Sequence, residues 1–176
     1  MRAAASIVLC AMLCVACEEQ TQIGSVADDP AISNPSHVSY NVRVVFSDST
    51  STRAIVQSPV GRIFDDKQQT TFGDSVIVDF YDTKSGRRAA RLTSDSAFID
   101  DRSQTMVAIG NVYVWSDSTR SSLRTPELWW DDRRRVLHSD KEVKIVTPNE
   151  TIEGVGFESD QYLKNYRIYR VKGIQR

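Results

Sequence analysis

From about residue 38 onward the chain alternates apolar and polar positions in short runs, the period-two pattern of half-buried β-strands. Asn41-Val42-Arg43-Val44-Val45-Phe46, Val76-Ile77-Val78-Asp79-Phe80-Tyr81 and Val112-Tyr113-Val114-Trp115 are β-branched or aromatic runs, and Val143-Lys144-Ile145-Val146 is a shorter one. Ser, Asp, Arg and Gly separate the runs, and helix signals are nearly absent. The pattern predicts an all-β domain.

The runs repeat. Ala97-Phe98-Ile99-Asp100-Asp101-Arg102 leads to Gly110-Asn111-Val112-Tyr113-Val114, and Leu128-Trp129-Trp130-Asp131-Asp132-Arg133 leads to Lys141-Glu142-Val143-Lys144-Ile145. In both, the valine lies 12 residues after the first aspartate. An earlier copy is Arg62-Ile63-Phe64-Asp65-Asp66-Lys67, followed by Val76-Ile77-Val78, and a degenerate last one runs from Gly156-Phe157-Glu158-Ser159-Asp160 through Ile168 to Ile174. Each copy opens on a small or polar residue: Ser58, Ser94, Thr125 and Gly154. The aspartates at 65, 100, 131 and 160 are predicted to make polar turns, their carboxylates accepting hydrogen bonds from backbone groups about two residues on. One strand–turn–strand unit has no way to bury its own apolar face, so the copies must stack.

The N-terminus reads differently. Met1-Arg2, an apolar stretch from Ala3 to Ala16 and a small residue before Cys17 form a secretory signal, too short for an ordinary membrane-spanning helix of about 20 residues. All three cysteines (Cys10, Cys14, Cys17) lie in this segment, so the exported domain is expected to use no disulfide. Leu13-Cys14-Val15-Ala16-Cys17 resembles a bacterial lipobox, with Cys14 standing where leucine is usual. Cys17 is therefore the expected lipidation site, the alternative being a plain secretory signal. The expected organisation is a lipoprotein signal peptide over 1–16, the lipidated cysteine and a flexible tether over 17–37, and the β domain over 38–176. Gly24, Asp28-Asp29, Pro30 and Pro35 give the tether its polar, helix-breaking character.

Charge and chemistry narrow the function. A formal net charge of −1 argues against an electrostatic grip on nucleic acid. His37 falls in the tether and His138 in a polar strand or turn, leaving no histidine pair for a metal in the domain. No Gly-x-Ser-x-Gly elbow or phosphate-binding loop occurs. Neither enzymatic activity, cofactor nor metal is expected, and the acidic pairs read as turns rather than acid–base dyads.

Taken in order, Ser94-Asp95-Ser96-Ala97-Phe98-Ile99-Asp100, Gly110-Asn111-Val112-Tyr113-Val114, Leu123-Arg124-Thr125-Pro126-Glu127-Leu128-Trp129-Trp130-Asp131 and Ile152-Glu153-Gly154-Val155-Gly156-Phe157-Glu158-Ser159-Asp160 resemble the LptC family of lipopolysaccharide export, and more distantly LptA and OstA-type domains. The resemblance spans roughly residues 40–174. Family members are commonly held by an N-terminal transmembrane helix, whereas this chain looks lipid-anchored. The resemblance implies an open, twisted, boat-shaped β-jellyroll of antiparallel strands. It further implies lipopolysaccharide as cargo, docking to an inner-membrane ABC transporter, edge-to-edge pairing with an LptA-like periplasmic bridge protein, and a periplasmic location anchored to the inner membrane.

Such cargo requires a long dry groove, since leaving about 12 methylenes in water costs near 10 kcal/mol at ~0.8 kcal/mol each. Alternation groups Ala97 and Ile99; Ala108, Val112 and Val114; Leu128 and Trp130; and Val143 and Ile145 on one face, with Val78 and Phe80 joining them. These are the expected lining of the lipid groove, the alternative being a closed core without a ligand. Phe98, Tyr113, Trp129 and Lys144 belong to the wetter face. Tyr166, Ile168 and Val171 are the expected partner-facing edge, the alternative being an ordinary last strand protected by its charges. A same-fold lipoprotein for another amphiphile is the competing function; a glycan-binding or enzymatic surface lipoprotein would need a cleft of aromatics and carboxylates that the sequence does not offer.

Overall fold

The computed structural model describes residues 34–48, 51–103, 105–131 and 133–175; the signal peptide, Cys17 and most of the tether lie outside the described residues. Eleven strands follow one another, with no helix among the described residues: β1 His37–Asp48, β2 Ser51–Phe64, β3 Gln69–Gly73, β4 Val76–Tyr81, β5 Arg88–Ser94, β6 Ser96–Asp100, β7 Thr105–Ser116, β8 Ser121–Asp131, β9 Val136–Val146, β10 Thr151–Ser159 and β11 Tyr166–Gln175. The predicted apolar runs fall inside β1, β4, β7 and β9, where branched side chains fill a pleated, half-buried surface. His37, assigned to the tether by composition, is the first residue of β1, and Ser36 N donates to the Ile63 carbonyl at 2.7 Å.

All pairings are antiparallel, and the order is β11-β10-β9-β8-β7-β5-β4-β2-β3-β6, with β1 beside β2 and β6 also beside β7. The sheet splits and rejoins between β2 and β7. The first part of β2, Ala54–Gln57, pairs with β4, and the second part, Val60–Phe64, pairs with β3. Likewise Tyr113–Ser116 of β7 pairs with β5 and Thr105–Ile109 with β6. Pro59 sits at the split, where its missing N–H breaks no ladder bond.

A line of interruptions crosses the remaining ladders at mid-strand. Register breaks lie between Ile109 and Val112, between Arg124 and Trp129, and between Glu153 and Gly154. Asp74, Ser75, Gly110, Asn111 and Gly156 have positive φ there. The hydroxyls that open three of the four sequence repeats supply the donors this broken ladder needs. Ser58 Oγ donates to the carbonyls of Val60 (2.9 Å) and Gly73 (2.8 Å), Ser94 Oγ to Ser96 (2.9 Å) and Thr125 Oγ1 to Glu127 (3.1 Å). Buried carbonyls left without partners would be costly. What repeats in the sequence is therefore a bend.

The bend folds the sheet over on itself. Phe80 connects through Ala90 and Ser116 to Ser121, at the start of β8. Trp130 lies at the far end of β8, roughly 30 Å away along a straight strand. Yet the two ring centroids are 6.2 Å apart. The two halves of each long strand thus form facing walls, with Val56, Val76, Val114, Leu123, Ile145 and Phe157 buried between them.

One ion pair staples the outer face. Asp79, 5% exposed, accepts two hydrogen bonds from its cross-strand neighbour Arg91, Nε at 2.7 Å and Nη2 at 2.8 Å. These bonds hold the Arg91 guanidinium above its usual range. Among the described residues, Arg91→Ala leaves the buried carboxylate with only Arg88, at 3.8 Å. The expected loss is about 2 kcal/mol, as for a charge-assisted hydrogen bond to a buried partner, read from urea midpoints.

Candidate lipid groove and strand edges

The eleven residues expected to line a groove share the inner side of the walls. Val78, Phe80, Ala108, Val112, Val114, Leu128, Trp130, Val143 and Ile145 belong to the buried cluster, and Ala97 and Ile99 pack half-buried against it. Much of that surface is closed: Val112, Val114 and Ile145 are at most 1% exposed. Free space lies instead toward β1. A cavity of about 280 Å3 is lined by Val42, Val44, Phe46, Ile63, Phe72 and Ile99 together with Ser39, Gly61, Thr70 and Asp101. A second, of about 270 Å3, shares Phe46, Ile99 and Asp101 with it and reaches Ala54, Phe80, Met106 and Trp130, with Ser47, Arg53 and Gln161 at its polar rim. The two adjoin and together enter the range of roughly 300–1,000 Å3 typical of ligand sites.

A smaller pocket of about 30 Å3 continues inward between Val78, Phe80, Ala97, Leu128 and Trp130. A larger concavity, about 500 Å3, lies elsewhere, on the outer face at the bend. Its cations are engaged: Lys144 pairs with Glu153 at 2.8 Å, Lys172 with Glu142, and the Arg124 guanidinium lies 4.9 Å above the Tyr113 ring. The cavity beside β1, though smaller, is the lipid-compatible one, because burying methylenes requires a dry lining rather than volume alone, and the second cavity extends it only along its apolar wall of Phe46, Ala54, Phe80, Ile99, Met106 and Trp130. Val42, Val44, Phe46, Phe72 and Met106 were missed as lining residues. The alternation of β1 was visible; its place beside the opening was not.

The outer face carries the other set. Phe98 meets Trp129 edge-on with centroids 6.4 Å apart, and Trp129 stacks on His138 at 6.0 Å. Both sheet ends are edges: among the described residues β11 pairs only with β10, and β1 only with β2. On β11, Tyr166 and Ile168 are half-buried against the core, while Tyr169, Val171 and Ile174 are exposed. Burial is the first cause that raises the Tyr166 phenol, followed by the nearby Glu150 charge. Along β1, Val38 and Tyr40 stand exposed.

Of the predicted turn aspartates, Asp100, Asp131 and Asp160 cap with their carboxylates, whereas Asp65 enters its turn through its backbone, its carbonyl accepting from Gln68 N at 3.2 Å. Asp100 Oδ1 accepts from the N–H groups of Arg102 and Ser103, both at 2.9 Å, and Asp131 Oδ1 from Arg134 N at 2.9 Å. The Ser103 N–H leads in holding the Asp100 carboxyl below its usual range, which keeps it ionised and unsuited to donate a proton. Among the described residues no cluster of His, Cys, Asp and Glu is arranged to hold a metal.

A curled antiparallel sheet with facing walls and an apolar interior defines an open β-jellyroll. Residues 4–175 match the LptC-related lipopolysaccharide-assembly family, and the chain belongs to it. Among solved structures it is similar to LptH of Pseudomonas aeruginosa, described as the LptA-homologous periplasmic component of the lipopolysaccharide transport device. The TM-score is 0.52 at 14% identity, over 66% of this chain and 82% of that one, a likeness of fold. No curated protein sequence matches the chain.

Proposed function

We propose that this domain accepts lipopolysaccharide from an inner-membrane ABC transporter and passes it to an LptA-like bridge protein in the periplasm. The acyl chains enter between β1 and the β6–β7 side, against Val44, Phe46, Phe72, Ile99 and Met106. The packed positions further in, Val112, Val114, Val143 and Ile145, form the floor that supports this opening. The β11 edge, at Tyr166, Ile168 and Val171, adds to the edge of the bridge protein, and Cys17 carries the lipid that holds the chain at the inner membrane. No catalytic step is involved; ATP is used by the transporter.

The observation that carries this reading is the apolar cavity beside β1, continued by the apolar wall of the adjoining one, in a family member whose fold is an open jellyroll. A photo-crosslinking residue at Ile99 or Phe46 is expected to capture lipopolysaccharide during ATP-driven transport, whereas one at Trp115 on the outer face captures none. Equal yields at all three positions would refute the groove. Capture at Ile99 that ignores ATP and the transporter would instead favour another amphiphile. For the anchor, Cys17→Ser is expected to abolish acylation of the chain; retention of an acylated, membrane-bound chain would contradict it.

A further inference from the structure

The connection between β10 and β11, residues 160–165, folds back between the walls. Its Leu163 is 1% exposed within the core cluster, although it adopts φ of 52°, a left-handed backbone that leucine rarely takes. The Asp160 carboxylate holds the loop in one shape: Oδ1 accepts from Tyr162 N (2.9 Å) and Lys164 N (3.0 Å), and Oδ2 from Asn165 N (3.1 Å) and Asn165 Nδ2 (2.9 Å).

The loop starts from the wall that carries Trp130 and reaches the opposite one. There the Tyr162 carbonyl accepts from Ser116 Oγ at 2.7 Å and Thr119 Oγ1 at 3.3 Å. Gln161 meanwhile lines the open cavity with Phe46 and Ile99. One short segment is therefore both a rim of the open space and a plug in the closed part. At its base Ser159 Oγ is buried without a hydrogen-bond partner, the one such side-chain atom among the described residues.

We propose that residues 160–165 are a releasable strap that gates the apolar interior on the way to the β11 edge. Closed, it keeps Leu163 between the walls and confines an acyl chain to the space beside β1. Lifted, it withdraws Leu163 and lets the chain advance toward Ile168. Release breaks two hydroxyl bonds to a single carbonyl, while the Asp160 bonds move with the loop. The gating rests on the lipid-carrier reading above; the lifting does not.

Two measurements on the full chain test it. The folded domain has no cysteine of its own, so Leu163→Cys introduces a single buried thiol, with the parent chain supplying the background from Cys10, Cys14 and Cys17. Local opening should label it roughly tenfold or more faster than Val114→Cys, a near-isosteric change at a position 0% exposed, and at a rate insensitive to low denaturant. Equal rates would mean that Leu163 is exposed only by global unfolding, and the strap would be refuted. Second, Thr119→Cys with Tyr162→Cys, bridged by a bifunctional thiol reagent, locks the strap. Locking is expected to lower lipopolysaccharide capture at a photo-crosslinker replacing Ile168 by roughly tenfold while leaving capture at Ile99 unchanged. Unchanged capture at Ile168 would overturn the gate. Absence of capture at Ile99 with and without the lock would sink the lipid reading instead, and labelling of Leu163→Cys would still decide whether the strap lifts.

Discussion

Gly154→Val is expected to strip β11 from the sheet while the rest of the domain stays folded. A Cβ at this position would lie 2.5 Å from the Arg170 carbonyl oxygen and closer still to Ile168 Cγ2. The isoleucine side chain can rotate away, but the carbonyl belongs to β11's backbone and moves only if the strand does. Overpacking of this kind costs about 1–3 kcal/mol, and a backbone obstacle puts it at the upper end. Strand β11 has one neighbour, so detaching it relieves the clash without disturbing the other ladders. Limited trypsin digestion should then cut at Arg167 and Arg170, which the parent protects. Co-purification with the bridge protein should fall with it. Gly173→Ala is the control, since a Cβ there meets nothing within 4 Å. A Gly154→Val chain with parental protection of β11 would show that the close approach is not what this glycine is for.

Phe157→Ala is expected to destabilise the domain by about 3–5 kcal/mol, the range for removing a fully buried phenylalanine and leaving a cavity. Phe157 is 0% exposed and sits where β10 pairs with β9 and β11. Against a total of about 5–15 kcal/mol this is a large fraction, and the melting temperature should drop by roughly 10–20 °C. Ile99→Ala makes the informative comparison. Ile99 is half-buried on the wall of an existing cavity. Its truncation enlarges a space that is already there, with an expected loss of about 1 kcal/mol. The contrast separates packed core from open groove by stability alone. A loss at Ile99 as large as at Phe157 would mean that the β1 side is packed core as well.

Strand-forming runs, Asp-capped turns and the division of side chains between two faces were legible because each depends on neighbours a few residues away. Asp100 and Asp160 bind the backbone next to them, and Val112 and Val114 share a face through the pleat alone. The repeat was legible too, but its cause was not. Ser58, Ser94 and Thr125 read as small polar openings of each copy; only the paired strands reveal that their hydroxyls serve broken ladders at a bend. Leu163 was hidden by its polar surroundings, Asp160-Gln161-Tyr162-Leu163-Lys164-Asn165, where a single apolar residue after the Asp160 turn shows no period.

The repeated β unit thus specified by itself an all-β domain, its turns, its inner face and its family. Which part of that inner face is closed and which is open was decided by tertiary structure. Alternation says only that Val44, Ile99 and Val114 are apolar on one side of a strand. Whether another wall covers them depends on how sharply the sheet bends at Ser58, Gly110 and Thr125, and on which strand is left at the edge. Those are properties of pairings between residues far apart in the chain, and no local period encodes them.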